Sequence, residues 1–125
     1  MSNPIYRQGP IGKDAASAVL KNRLVRLTAD GKVEHAAATG AVFGAITEKA
    51  DPAKLLSAVD VAVHYGPAVV DLSVVEGGVI SAGAAVFAAA DGQVAATGTV
   101  QVGVANMPST GGYVEAVLNN LPVAG

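Results

Sequence analysis

Apolar and polar residues alternate with a period of two along much of this chain. In "VDVAVHY" the residues Val59, Val61, Val63 and Tyr65 fall on one side and Asp60, Ala62 and His64 on the other, which predicts a half-buried β-strand. The stretch "YVEAVL" repeats the pattern, with Tyr113, Glu115 and Val117 on one face and Val114, Ala116 and Leu118 on the other. "AVVDLSVV", "TVQVGVANM" and the compact "AVFGAI" read as further strands, and Gly44 inside the last marks close packing or a bulge. Gly66-Pro67, Glu76-Gly77-Gly78 and Pro108–Gly112 break the runs. Asp30-Gly31 and Asp91-Gly92 each sit between apolar runs, a hairpin signal because the tight turn needs positive φ. The one helix signal is "ADPAKLLSA": Asp51 suits an N-cap and Pro52 the first helical position, so one short helix or helical turn is expected near 51–58.

Two of these stretches are imperfect copies of one another. "LTADGKVEHAAATGAVFGAI" and "AAADGQVAATGTVQVGVA" both run Ala-Asp-Gly-x-Val, small residues, Thr-Gly, then a hydrophobic residue before a Gly. The Asp-Gly pairs are offset by 61 positions (Asp30 to Asp91) and the later glycines by 59 (Gly44 to Gly103). The expected fold is mainly β: a small barrel or sandwich built from two related halves, each containing a hairpin. Two units are too few for a solenoid.

Residues 1–17 read as an extended N-terminal arm and 18–125 as a single β-rich domain. The arm, which opens "MSNPIYRQGPIGKDA", has two prolines, mixed charge and no sustained period. Its apolar Ile5, Tyr6 and Ile11, with Arg7, are the candidates for ordering on a partner surface, for example as an added strand; the alternative is a frayed terminus.

Composition narrows the function classes. There is no Cys, so disulfides and thiolate chemistry are excluded. No run approaches the ~20 apolar residues of a membrane span, and the first residues lack a secretory signal, so neither membrane nor export is expected. The chain is 51% hydrophobic, yet with no Trp and only two Phe and three Tyr that fraction is mostly Ala and Val, which makes a thin core that gains from burial against partners. All eight Lys and Arg lie in the first 54 positions, whose net charge is +3; the remainder carries −5, giving −2 overall. Such asymmetry can orient self-association or docking, or arise by chance in a short chain. The bases are too sparse for nucleic acid.

Catalytic constellations are absent from the spacing. His35 and His64 are the only histidines and neither has metal-like neighbours. No serine sits in a Gly-x-Ser-x-Gly elbow, and "GGVISAG" lacks the lysine of a phosphate loop. Asp30 and Asp91 are better explained as turn formers, with Gly31 and Gly92, than as acids. No enzyme activity, cofactor or metal is expected; a small hydrolase using His64 is the remaining enzymatic alternative.

The second half resembles the head decoration, or capsid cement, proteins of tailed bacteriophages. The residues that carry the resemblance are Gly83-Val86-Phe87, Asp91-Gly92-Val94-Thr97, Val102-Gly103-Val104-Ala105 and the strand from Gly112 to Leu118, with "TGAVFGAI" in the place of an earlier Gly-containing strand. The likeness spans most of residues 20–119 and departs at the arm and at the long "TEKADPAKLLSA" connection. It implies a β-rich protein, made in the host cytoplasm, that binds the outer surface of the mature head, often as a homotrimer, and bridges neighbouring major capsid subunits. Its partners would be the major capsid protein and further copies of itself. Another virion β module, of tail, fibre or adhesin, is the alternative.

Overall fold

The structure, a computed structural model, describes residues 10–54 and 58–124. Its strands form two five-stranded antiparallel sheets. The first holds β1 (Ile11–Asp14), β2 (Arg23–Leu27), β3 (Val33–His35), β4 (Gly44–Ile46) and β5 (Asp60–His64), in the spatial order β1-β5-β4-β2-β3. The second holds β6 (Val69–Ser73), β7 (Ala85–Ala88), β8 (Val94–Ala95), β9 (Gln101–Ala105) and β10 (Tyr113–Val117), in the order β6-β10-β9-β7-β8. Replacing β1–β5 by β6–β10 in sequence converts one order into the other. The mainly β fold of two related halves is therefore what the repeat predicted. The correspondence reaches single residues: just past the first strand of each half, Ala15 bridges Val33 in parallel and Val74 bridges Val94. These bridges join the outer strands of each sheet and roll it toward a barrel.

The offset between the halves is 59–61 as far as β4 and β9, then drops to 53 at β5 and β10 (Asp60 to Tyr113). The cause is the connection before the last strand, 13 residues in the first half (47–59) and 7 in the second (106–112). For that longer connection the sequence predicts one short helix or helical turn near 51–58. Its described part is one hydrogen-bonded turn, the shorter of those two forms: Lys54 N–H donates to the Asp51 carbonyl at 3.2 Å and Ala53 N–H to Asp51 Oδ1 at 3.0 Å. Asp51 caps as predicted, but Ala50 is held by paired backbone bonds to Val19, and Asp51 N–H by the Ala58 carbonyl, so both ends of the segment belong to the sheet's edge; residues 55–57 lie outside the described residues.

A correction concerns the arm. Residues 11–14, assigned to it from sequence, form β1, paired along its length with β5 from Ile11↔Val63 to Asp14↔Asp60. The alternation of Ile11 and Lys13, half-buried, with exposed Gly12 and Asp14 is a strand signal that the flanking prolines and glycines obscured.

Burial follows the predicted alternation in β5 and β10, where Val61, Val63, Val114 and Ala116 are buried and Asp60, Ala62 and Tyr113 exposed. Two apolar clusters result. One fills the first sheet with Val19, Val25, Val33, Ile46, Val61 and Val63. The other fills the second sheet and extends across to Leu24, Ala36, Val42 and Ala45 of the first. Leu24 and Val25, adjacent in β2, thus face opposite cores. No buried side chain among the described residues is polar, charged or aromatic. Ala and Val dominate as composition required, and the shared cluster adds to one half the apolar surface of the other.

Past β10 the chain binds first the residue before β6 and then, through Val123, the first half. Leu118 N–H donates to the Ala68 carbonyl at 2.7 Å, Leu121 is buried, and Val42 and Val123 exchange both backbone bonds at 3.0 and 2.8 Å.

Candidate functional site

The candidate residues fall in three places. Ile5, Tyr6 and Arg7 lie outside the described residues. Ile11 opens β1, half-buried opposite Val63. The two Asp-Gly pairs both make hairpin turns, but different ones. In the first, Gly31 closes the loop at φ +80°, donating to the Thr28 carbonyl at 2.9 Å, and open space surrounds it. In the second, Asp91 (φ 58°) and Gly92 (φ 72°) are both left-handed and Gln93 N–H reaches back to the Ala90 carbonyl at 3.2 Å, the geometry of a two-residue hairpin turn. This second turn is driven into the first half.

That seam is the most highly organised polar feature of the molecule. Gly92 N–H donates to the Ala36 carbonyl at 2.7 Å, and Arg23 Nη1 to the Asp91 carbonyl at 3.0 Å. Ser73 N–H donates to the Asn22 carbonyl at 2.8 Å, with Asn22 itself at φ 60°, and Gln93 Nε2 donates to Ser73 Oγ at 3.0 Å. His35 completes the cluster: its Nε2 accepts the Leu20 N–H at 2.9 Å. Burial, reinforced by the Arg23 charge and opposed by Asp91, holds the His35 pKa below the ordinary histidine value.

The sign of that shift sets a pH dependence. Neutral His35 is an acceptor for Leu20; protonated, it loses that role and gains a repulsive neighbour. The folded state therefore releases a proton that the unfolded chain binds below about pH 6.5. The contribution of His35 to stability is full above that pH and is lost as pH falls through the lowered folded value. Urea midpoints measured from pH 7.5 downward should drop below pH 6.5, and the drop should shrink in His35→Gln; an equal decline in that variant would remove His35 from the explanation.

His64, the remaining histidine, ends β5 half-buried, and its carbonyl oxygen is packed against Gly44. Among the described residues no three His, Cys, Asp or Glu converge in a way that could hold a metal ion. No helix among them is long and apolar enough to cross a membrane. Arg26 and Glu34, both half-buried, form a cross-strand ion pair at 2.8 Å, worth about 1 kcal/mol or less. Lys13 Nζ lies 6.0 Å over the Phe43 ring, itself 6.2 Å from Tyr65, beside an apolar hollow lined by Leu27, Ala41, Phe43, Pro122 and Val123. The arrangement offers surfaces and a fixed relation between two rolled sheets. Sequence reasoning missed the seam, although Leu24-Val25, an apolar pair that breaks the alternation in β2, was a sign of a strand buried on both sides.

No protein-family model matches this chain, and no curated protein sequence does either. Among solved structures, the head fiber gp8.5 N base of bacteriophage phi29 is similar with a TM-score of 0.68 and 20% sequence identity, over 95% of this chain and 100% of that one. The tandem β architecture is thus a fold shared, along nearly its whole length, with the base of a phage head fiber.

Proposed function

We propose that this chain is a non-enzymatic structural module of a phage virion, seated on the head as the base of a surface appendage or as a decoration. The observation that carries the reading is the full-length likeness of fold to a head fiber base. The seam supports it, because a module that must transmit load between a shell and an appendage benefits from two sheets locked in one orientation. Tagged protein incubated with separated heads and tails of the parent phage should sediment with heads. Sedimentation with tails alone, or with neither, would contradict the proposal.

The narrower reading, a cement protein that bridges major capsid subunits, rests on Gly83, Val86, Phe87 and the Val102–Ala105 run, which belong to β7, β9 and the turn before β7. It is separated from the appendage base by heating heads with and without the protein. A cement raises the temperature of DNA release by several degrees; an appendage base leaves it unchanged. His64→Ala should alter neither binding nor release, and loss of a measurable hydrolytic activity in a folded His64→Ala protein would instead favour the enzymatic alternative.

A further inference from the structure

We infer that the loop end shared by the two halves is a self-association face, on which two copies of this chain pair about a two-fold axis. The inference does not rest on head binding, and its test needs no head.

Four connections emerge at this end: 15–22 and the described parts of 47–59 (47–54 and 58–59) from the first half, 74–84 and 106–112 from the second. Among the described residues, seven large apolar side chains stand exposed, and five of them are here: Leu20, Val59, Val79, Met107 and Tyr113. Val79 is 75% exposed, Met107 55%, Leu20 49% and Tyr113 40%. The other two, Leu27 and Val69, lie at the opposite ends of their strands. Isolated exposed apolar residues are ordinary, whereas a cluster on one end marks an interaction surface. Tyr and Met are also side chains that interfaces favour.

The occupant is argued from charge. Two adjoining hollows cross this end, and Lys21 and Tyr113 line both. To one side the lining adds Leu20, Arg23, Glu48 and Lys49, a net positive set. To the other it adds Met107, Pro108, Asp71 and Glu115, a negative one. Positive and negative regions therefore adjoin on a single face, with Lys21 and Tyr113 between them and an apolar side chain, Leu20 or Met107, in each. A two-fold axis through the shared wall carries each region onto its opposite, because in such an interface residue i meets j and j meets i. Lys21 of one copy then lies against Tyr113 of the other, a cation–π contact made twice, while the Lys49 side covers the Asp71 and Glu115 side. A ring of three would instead need the complementary regions on separate flanks. The apolar residues supply affinity, and the charges set register and make the pairing salt-dependent.

Light scattering on the full chain tests this. At low salt the wild type should have the mass of two 12.3 kDa chains, falling toward one as salt rises. Lys21→Glu/Lys49→Glu and Asp71→Lys/Glu115→Lys should each halve that mass, since each makes the face of one sign. An equimolar mixture of the two should restore the pair. Tyr113→Ala should weaken it at least tenfold. If either double variant loses its β signal by circular dichroism, Met107→Glu, on an exposed side chain, is expected to give the same loss of pairing. A wild type that is monomeric or trimeric, folded variants that still pair, or a mixture that stays monomeric would each overturn the inference.

Discussion

Gly103→Ala is expected to destabilise the protein by about 3–5 kcal/mol, a large share of the roughly 5–15 kcal/mol that holds a domain of this kind folded. A Cβ at this position would overlap the Val117 carbonyl oxygen and come within 3.3 Å of Leu118 Cα. Both obstacles are backbone. They are fixed from the far side as well, since β10 pairs with β6 from Tyr113↔Ser73 to Val117↔Val69 and Leu118 N–H is bound to Ala68. Overpacking against side chains typically costs about 1–3 kcal/mol because rotamers can shift. Here a strand must move, and the buried pairing of both neighbours moves with it. Gly44 is the equivalent residue of the first half, packed against the His64 carbonyl and Val63 Cγ1, so Gly44→Ala should act in the same direction. Gly12, where an added Cβ would meet nothing within 4 Å, provides the control: Gly12→Ala should move the urea midpoint little. Comparable midpoints for Gly12→Ala and Gly103→Ala would refute the close-approach explanation.

The second large effect separates the two Asp-Gly turns. Gly31→Ala should cost about 1–2 kcal/mol, the ordinary penalty of a left-handed residue with a Cβ, because nothing else crowds it. Gly92→Ala bears the same conformational penalty, and its Cβ would also overlap the Leu24 carbonyl oxygen and lie 3.1 Å from Arg23 Cβ. Relieving that overlap pulls the turn from the seam and strains the Gly92–Ala36 bond, for a total of roughly 3 kcal/mol or more. The difference between the two variants, about 1–2 kcal/mol, measures the cost of forcing the second turn away from the first half. Paired urea titrations give it directly, and equal losses would mean that the seam does not hold the second turn.

The copies were legible in the sequence because turn chemistry and period-two alternation are local. "ADGKV" and "ADGQV" announce hairpins whatever surrounds them, and the alternations around Val61 and Val114 hold in β5 and β10. What sequence did not reveal was which copy is buried. Gly31 and Gly92 both follow Ala-Asp and precede a long polar residue and Val, and only the fold decides that one faces solvent and the other Leu24. The arm failed in part for a related reason: Ile11–Asp14 is a poor strand by itself and becomes one because β5 offers a complete edge. Asp51 caps the turn that its side chain and Pro52 announce, while the backbone on either side of that turn is tied to the sheet edge by Ala50–Val19 and by Asp51 N–H to the Ala58 carbonyl. As for function, nothing in the residues of the seam points to a reaction; they point to a fixed geometry between two copies of one unit, and that geometry is what the proposed role on a virion uses.

The most direct test of that role is a difference map from cryo-electron microscopy of virions with and without this protein. The expected result is additional density on the outside of the head with two adjoining β lobes per chain, in the relative orientation fixed by the Gly92 turn. Absence of any difference on the head, or density confined to the tail, would contradict the account.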